Sequence, residues 1–271
     1  MPELPEVETS RRGIEPHLLG RRIEQLEVRE PRLRWPVPPD TAERVAGQRI
    51  LALRRRGKYL LCDLAQGVLM LHLGMSGSLR VLPTRTAPGA HDHIDLHLSD
   101  GQCLRFRDPR RFGMLQWTAA PAEAHPLLRA LGPEPLEPAF SGAYLHQRAR
   151  GRRASIKTFI MDSHVVVGVG NIYANEALHL ARIHPNRAAG RISGARLAVL
   201  VRAIRDVLAA AIAQGGTSLR DFVREDGKPG YFAQSLRVYG RAGQPCPRCG
   251  GHIHQRRIGQ RSSFYCAACQ R

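Results

Sequence analysis

No apolar run in this 271-residue chain approaches the roughly 18 residues that a bilayer-spanning helix requires, so a helical membrane span is not expected. The first residues also lack the uninterrupted apolar core of a secretory signal, because Leu4 to Leu18 carries charge throughout. A cytosolic chain is therefore expected. No strongly amphipathic basic helix of the kind that lies on a lipid surface is evident, and no internal repeat or low-complexity tail points to a solenoid or a disordered arm. Aromatics are scarce at 6%, and there are only six cysteines. Acidic residues are the most telling shortage: 23 Asp and Glu stand against 41 Lys and Arg, for a formal charge of +18, and none occurs after Asp226.

The surplus of positive charge is clustered. Lys228, Arg237, Arg241, Arg248, Arg256, Arg257, Arg261 and Arg271 fill the acid-free C-terminal stretch. Arg148, Arg150, Arg152, Arg153 and Lys157 form a second group, with no acid until Asp162, and Arg54-Arg55-Arg56-Gly57-Lys58 a third. Solvated faces usually mix signs, whereas single-sign patches create a field suited to a polyanion, so nucleic acid is the expected partner.

Four of the six cysteines stand as Cys246-x-x-Cys249 and Cys266-x-x-Cys269, sixteen residues apart, within the spacing of a four-cysteine zinc site. Four thiolates leave no open coordination position, so one structural zinc per chain is expected, its binding supplying folding free energy to a segment too short for its own core. Two disulfides would instead need an oxidising compartment. Cys62 and Cys103 lie on apolar, strand-like runs and are expected to be buried small hydrophobes.

The pattern changes midway along the chain. Short, partly alternating runs at Ile23–Val28, Ile50–Leu53, Tyr59–Leu64, Val68–Leu73, Ser78–Leu82, His93–Leu98, Gln102–Arg107 and Met114–Trp117 predict a β-sandwich or flattened barrel. A helix is expected before them over Glu6–His17. Pro121 to Pro138 reads as a linker, and beyond it Leu197, Leu200, Val201, Ile204, Val207, Leu208, Ala211 and Ile212 mark one face of a long helix stopped by Gln214-Gly215-Gly216. The expected division is 1–130, 131–235 and 236–271.

Several segments carry chemistry. After removal of Met1, Pro2 would offer a secondary amine beside Glu3 and Glu6, a nucleophile able to form a cationic iminium with a sugar carbon or aldehyde. A terminal amine has an ordinary pKa of about 7.7–8.0, so part of it is neutral at physiological pH. Met161 to Glu176 reads as a helix, a glycine-punctuated turn and a second helix opening at Asn171, where backbone N–H groups could hold a phosphate. Residues 214–232 are glycine-rich and charged, and could form either a mobile lid or a plain connector.

Six segments in order, Pro2-Glu-Leu-Pro-Glu-Val-Glu-Thr9, His72-Leu-Gly-Met-Ser-Gly77, Asp108-Pro-Arg-Arg-Phe-Gly113, Val167-Gly-Val-Gly-Asn-Ile-Tyr173, Asp226-Gly-Lys-Pro-Gly-Tyr-Phe232 and Gln260-Arg-Ser-Ser-Phe-Tyr-Cys266, closely resemble the bacterial formamidopyrimidine-DNA glycosylases. The resemblance implies an α+β chain with two domains: an N-terminal β-sandwich with an N-terminal helix, and a C-terminal helical domain with a helix-two-turn-helix and a four-cysteine zinc-finger β-hairpin. It implies a monomeric base-excision-repair enzyme that flips 8-oxoguanine or a formamidopyrimidine out of double-stranded DNA, excises it and nicks the strand by β,δ-elimination. Pro2 would attack C1′, Glu3 would act as acid and base, Glu6 would support the amine and sugar, and Lys58 and Arg261 would grip phosphates at the lesion. His91, Arg110, Arg152, Lys157 and Asn171 would contact DNA, with Arg152 in an arginine cluster that departs from a lysine-rich pattern. Met75 and Phe112 would fill the hole left by the flipped base, with Arg110 facing its partner. Thr217, Ser218, Arg224, Lys228 and Tyr231 would lie on a lesion-recognition loop.

Three alternatives fit parts of this pattern. An endonuclease VIII-like enzyme for oxidised pyrimidines shares the Pro-Glu start and zinc finger, but typically has glycine where this chain has Leu4. A non-catalytic zinc-finger regulator or a structural DNA binder accounts for cysteines and charge, but gives no reason for the Pro-Glu terminus or the glycine-rich segment.

Overall fold

The computed structural model describes residues 2–216 and 235–271. These divide into two compact units, one comprising residues up to Ala130 together with 214–216, and the other Leu131–Ala213 together with 235–271.

The first unit opens with α1 (Leu4–Leu18), two residues before the expected start at Glu6. Pro5 explains the shift, because a proline in the first turn forfeits no hydrogen bond and its fixed φ suits the helix. Two antiparallel four-stranded sheets follow. One pairs β1 (Ile23–Val28), β6 (Asp92–Leu98), β7 (Gln102–Arg107) and β5 (Ser78–Pro83) in that order. The other runs β2 (Ile50–Arg56), β3 (Tyr59–Leu64), β4 (Val68–His72) and β8 (Met114–Thr118). Both sheets and α1 close on one apolar core, in which Val7, Ile14 and Leu18 meet Leu26, Leu53, Leu69, Leu96 and Leu104. Cys62 sits in this core, and burial pushes its thiol up to about 12. Cys103 is also fully buried. A short helix, α2 (Thr41–Val45), has no counterpart in the sequence reading.

In the second unit α3 (Gly142–Ala149), α4 (Ile156–Ile160), α5 (Asn171–Leu180) and α6 (Gly194–Ala213) pack around Phe140, Leu145, Ile160, Tyr173, Leu178 and Leu208. The hairpin of β9 (Ile253–Ile258) and β10 (Arg261–Cys266) has a small core of its own, built on Val238, Ile253 and Phe264. It shares a compact unit with the helices and leans on them through polar contacts that supplement that core. Asn175 Oδ1 accepts from the Phe264 amide at 2.8 Å, and the Gln270 side chain donates to the Ile183 carbonyl at 2.9 Å. Glu176, 3% exposed, accepts from the amides of Arg237, Val238 and Tyr239 at 2.8–3.0 Å. Among the described residues no helix is long and apolar enough to cross a membrane.

Candidate functional site

In the first unit the head of α1 is fixed by its own carboxylates. The Glu3 amide donates to Glu6 Oε2 at 2.8 Å, the reciprocal capping arrangement that satisfies an otherwise orphaned donor at a helix start. Glu3 and Glu6 are each 2% exposed, and Pro2 beside them is buried. Gly216, with φ +80°, returns to this point: a Cβ there would lie 3.0 Å from Glu6 Oε1. Glu8, which no sequence pattern singles out, joins the same helix to β2. Burial alone would raise its carboxyl, but hydrogen bonds from Arg11 and Arg12 and the charges of Arg11 and Arg55 hold it below the usual range.

Lys58 occupies a two-residue turn between β2 and β3, where Arg56 pairs with Tyr59 and Gly57 takes φ +59°. Its charge is felt by His72 at the end of β4. Burial first, and then Lys58 and Arg34, lower that imidazole to about 4, so it is neutral at physiological pH and its Nδ1 accepts from the Gly74 amide at 2.9 Å.

Met75 and Phe112 lie on the two loops that leave β4 and β7. Met75 is half-buried, while Phe112 is 41% exposed, an unusually open position for a large aromatic. Arg110 is exposed, its guanidinium 4.9 Å from the Phe112 ring centroid. His91 is exposed just before β6, and its carbonyl accepts from the Asp108 amide at 3.0 Å.

In the second unit the turn from Gly168 (φ +82°) to Gly170 opens α5 at Asn171, as the glycine spacing predicts, whereas the helix expected from Met161 is not there: α4 ends at Ile160 and residues 161–170 run as turns. Asn171 Oδ1 is buried and has no hydrogen-bond partner among the described residues. Such an orphaned acceptor carries a cost unless something completes it. Arg152 is exposed just after α3, with its backbone held by Ala149 and Gly190. Lys157, expected at the DNA backbone, is fully buried here. Its ammonium donates to the Ser262 carbonyl at 2.8 Å and to Ser263 Oγ at 2.6 Å. It braces the hairpin, because a buried ammonium must find acceptors and β10 supplies them.

Arg261 is placed by that hairpin. Gly259 and Gln260 form its two-residue turn with φ +56° and +64°, the all-positive pattern that suits the strand twist. A Cβ on Gly259 would collide with Thr158 of α4, so the tip is packed against the helix beside Lys157. Arg261 follows the turn and is exposed.

The four cysteine sulfurs lie within 4.8 Å of one another, with Cys246 to Cys269 at 3.9 Å and Cys249 to Cys266 at 3.5 Å. Tetrahedral zinc with bonds of ~2.3 Å separates its sulfurs by ~3.8 Å, so the donor set fits. The Gly251 amide, followed by the neighbouring thiols, lowers Cys249 to about 7, whereas burial and the neighbouring cysteines raise Cys266 and push Cys269 up to about 12, so metal binding at this cluster must release protons. The expected loop residues Thr217, Ser218, Arg224, Lys228 and Tyr231 lie outside the described residues.

Three family models match the chain in order: the formamidopyrimidine-DNA glycosylase N-terminal domain over residues 1–115, the H2TH domain of the same glycosylases over 131–223, and a zinc finger found in FPG and IleRS over 243–271. A curated relative from Methylococcus capsulatus, named formamidopyrimidine-DNA glycosylase, is 62% identical over 271 residues, and the match covers the whole of both chains. Among solved structures, the MutM (FPG) protein of Thermus thermophilus is 39% identical with a TM-score of 0.89, covering 99% of this chain and 98% of that one. A mutant of the Lactococcus lactis FPG, in complex with DNA containing Fapy-dG, is 32% identical with a TM-score of 0.92 and full coverage of both chains.

Proposed function

The chain belongs to the formamidopyrimidine-DNA glycosylase family, and from that premise we propose that it is a bifunctional glycosylase and lyase removing 8-oxoguanine and formamidopyrimidines from duplex DNA. The observation that carries this reading is the head of α1, where Glu6 holds the Glu3 amide and thereby fixes the residue that follows Pro2. After removal of Met1, the Pro2 nitrogen attacks C1′ as the bond from C1′ to the base breaks, and the departing base takes up a proton. Opening of the sugar ring leaves an iminium at C1′, with O4′ protonated. Loss of a proton from C2′ then expels the 3′ phosphate, and a second elimination expels the 5′ phosphate. Glu3 supplies and accepts these protons, while Glu6 keeps the backbone in register.

The basic residues divide the remaining work. Lys58 and Arg261 neutralise phosphates at the lesion, and His91, Arg152 and the α5 start at Asn171 hold the backbone further along. Lys157 acts through the hairpin, fixing Ser262 and Ser263 beside Arg261. Met75 and Phe112 enter the stack when the base leaves it, and Arg110 meets the orphaned partner. Cys246, Cys249, Cys266 and Cys269 hold one structural zinc, which adds to the folding free energy that the hairpin draws from its small core and its contacts with the helices. The site of action is the bacterial cytosol, with the DNA.

The test is incision of a duplex carrying 8-oxoguanine opposite cytosine, alongside one carrying an oxidised pyrimidine. Faster excision of the purine supports the reading, whereas preference for the pyrimidine replaces it with an endonuclease VIII-like activity.

A further inference from the structure

Asp108 is fully buried, yet it lies between the two loops that carry Met75 and Phe112. Its carboxylate serves both. Oδ1 accepts from Ser76 Oγ at 2.8 Å, on the Met75 loop, and from the Arg110 amide at 3.4 Å. Oδ2 accepts from the Gly113 amide at 2.7 Å, immediately after Phe112. The backbone of Asp108 extends the junction: its carbonyl accepts from the Arg111 amide at 3.1 Å and pairs with His93 Nε2 at 2.9 Å, and its amide donates to the His91 carbonyl.

The loops are also in direct contact. Gly74 has φ +63°, and a Cβ there would run into the backbone of Phe112 and Gly113. Arg111 holds φ +56°, a left-handed conformation that is strained for a non-glycine residue and persists only where the surroundings impose it. The Asp108 carboxylate and carbonyl, which take the amides of Arg110, Arg111 and Gly113, are the groups that impose it.

We propose that Asp108 is a positioning residue that joins Met75 and Phe112 into one two-pronged unit, so that both enter the base stack together; this rests on the intercalating role proposed for them above. Asp108 itself is too deep to touch DNA. The Arg110 side chain makes no bond to Asp108, which takes only its amide; the guanidinium rests on the exposed Phe112 ring and can turn from there to follow the orphaned base.

The test compares Asp108→Asn and Ser76→Ala with Phe112→Ala on two duplexes, one with stacked 8-oxoguanine and one with a preformed abasic site. Ser76→Ala removes a single hydroxyl and keeps the experiment decisive if Asp108→Asn fails to fold. The expected result is a loss of roughly tenfold or more in 8-oxoguanine excision for each clamp variant, the size that loss of a hydrogen bond to a charged group gives, with abasic cleavage within about twofold. A merely structural role would lower both activities together. In addition, Met75→Ala and Phe112→Ala should be strongly non-additive in the native background and additive in the Ser76→Ala background. If Phe112→Ala is selective for the stacked lesion and the clamp variants are not, the clamp is overturned and the intercalating role survives. If Phe112→Ala itself depresses both activities equally, the intercalating role fails first.

Discussion

The guanidinium of Arg110 rests 4.9 Å from the centroid of the Phe112 ring, so two exposed side chains of one loop stack on each other. An exposed contact of this kind contributes about 0.5–1 kcal/mol, small enough to be exchanged for base contacts. Phe112→Ala is expected to leave the melting temperature nearly unchanged, because the ring is 41% exposed, while slowing 8-oxoguanine excision. Arg110→Ala should erode discrimination of the opposite base. Single-turnover rates on duplexes with each of the four opposing bases measure this, and an unchanged preference would remove Arg110 from the role.

Asp95 anchors the sheet that contains β1 and β6. It is 1% exposed, accepts from Arg105 Nε at 2.8 Å and Nη2 at 2.7 Å, and forms an ion pair with Arg29 Nη2 at 2.7 Å. Burial would raise its carboxyl, but the hydrogen bonds and charges of Arg105 and Arg29 bring it below the ordinary value of 3.8. A depressed folded value means that the contribution is complete at neutral pH and is lost as pH falls below 3.8 toward that value. Asp95→Asn leaves two guanidinium groups without their shared anion and should cost about 3–5 kcal/mol at neutral pH. Denaturant unfolding at neutral pH and at roughly pH 3 checks both statements: the variant should differ less from the parent at the lower pH.

Removal of the metal should act on DNA binding through the hairpin. One zinc per chain is expected by elemental analysis, and Cys249→Ser or a strong chelator should release β9 and β10 together with Arg261. The first unit has its own core and should keep its cooperative unfolding transition. DNA affinity of the zinc-loaded protein should fall steeply with salt, each neutralised phosphate adding roughly 0.9 to the slope of log K against log salt. A metal-free protein that binds normally would contradict the assignment.

The strands at Ile23–Val28, Tyr59–Leu64 and Gln102–Arg107 are legible to the residue, because alternation bounded by Gly, Pro and Asp is a local signal. The long helix α6 is legible from its apolar face and its glycine stop. Helix α2 is not, since five residues carry too little periodicity to register. Among the site residues, the cysteines and the Gly168 to Asn171 turn declare themselves by spacing. The burial of Lys157 cannot, because its acceptors at Ser262 and Ser263 lie more than a hundred residues along the chain. The same holds for Asp108, whose partner Ser76 is 32 residues away. Contacts of this kind are set by the way distant loops and strands meet, and they leave no trace in local pattern.

The covalent bond to DNA is assigned to the Pro2 nitrogen. Incubation with a duplex containing 8-oxoguanine opposite cytosine in the presence of borohydride, followed by proteolysis and mass mapping, tests it most directly. The expected result is a reduced sugar adduct on the N-terminal peptide at Pro2, absent from Pro2→Gly and from a protein with an uncleaved N-terminal tag. An adduct mapped to Lys58, or undiminished trapping by the blocked protein, would contradict it.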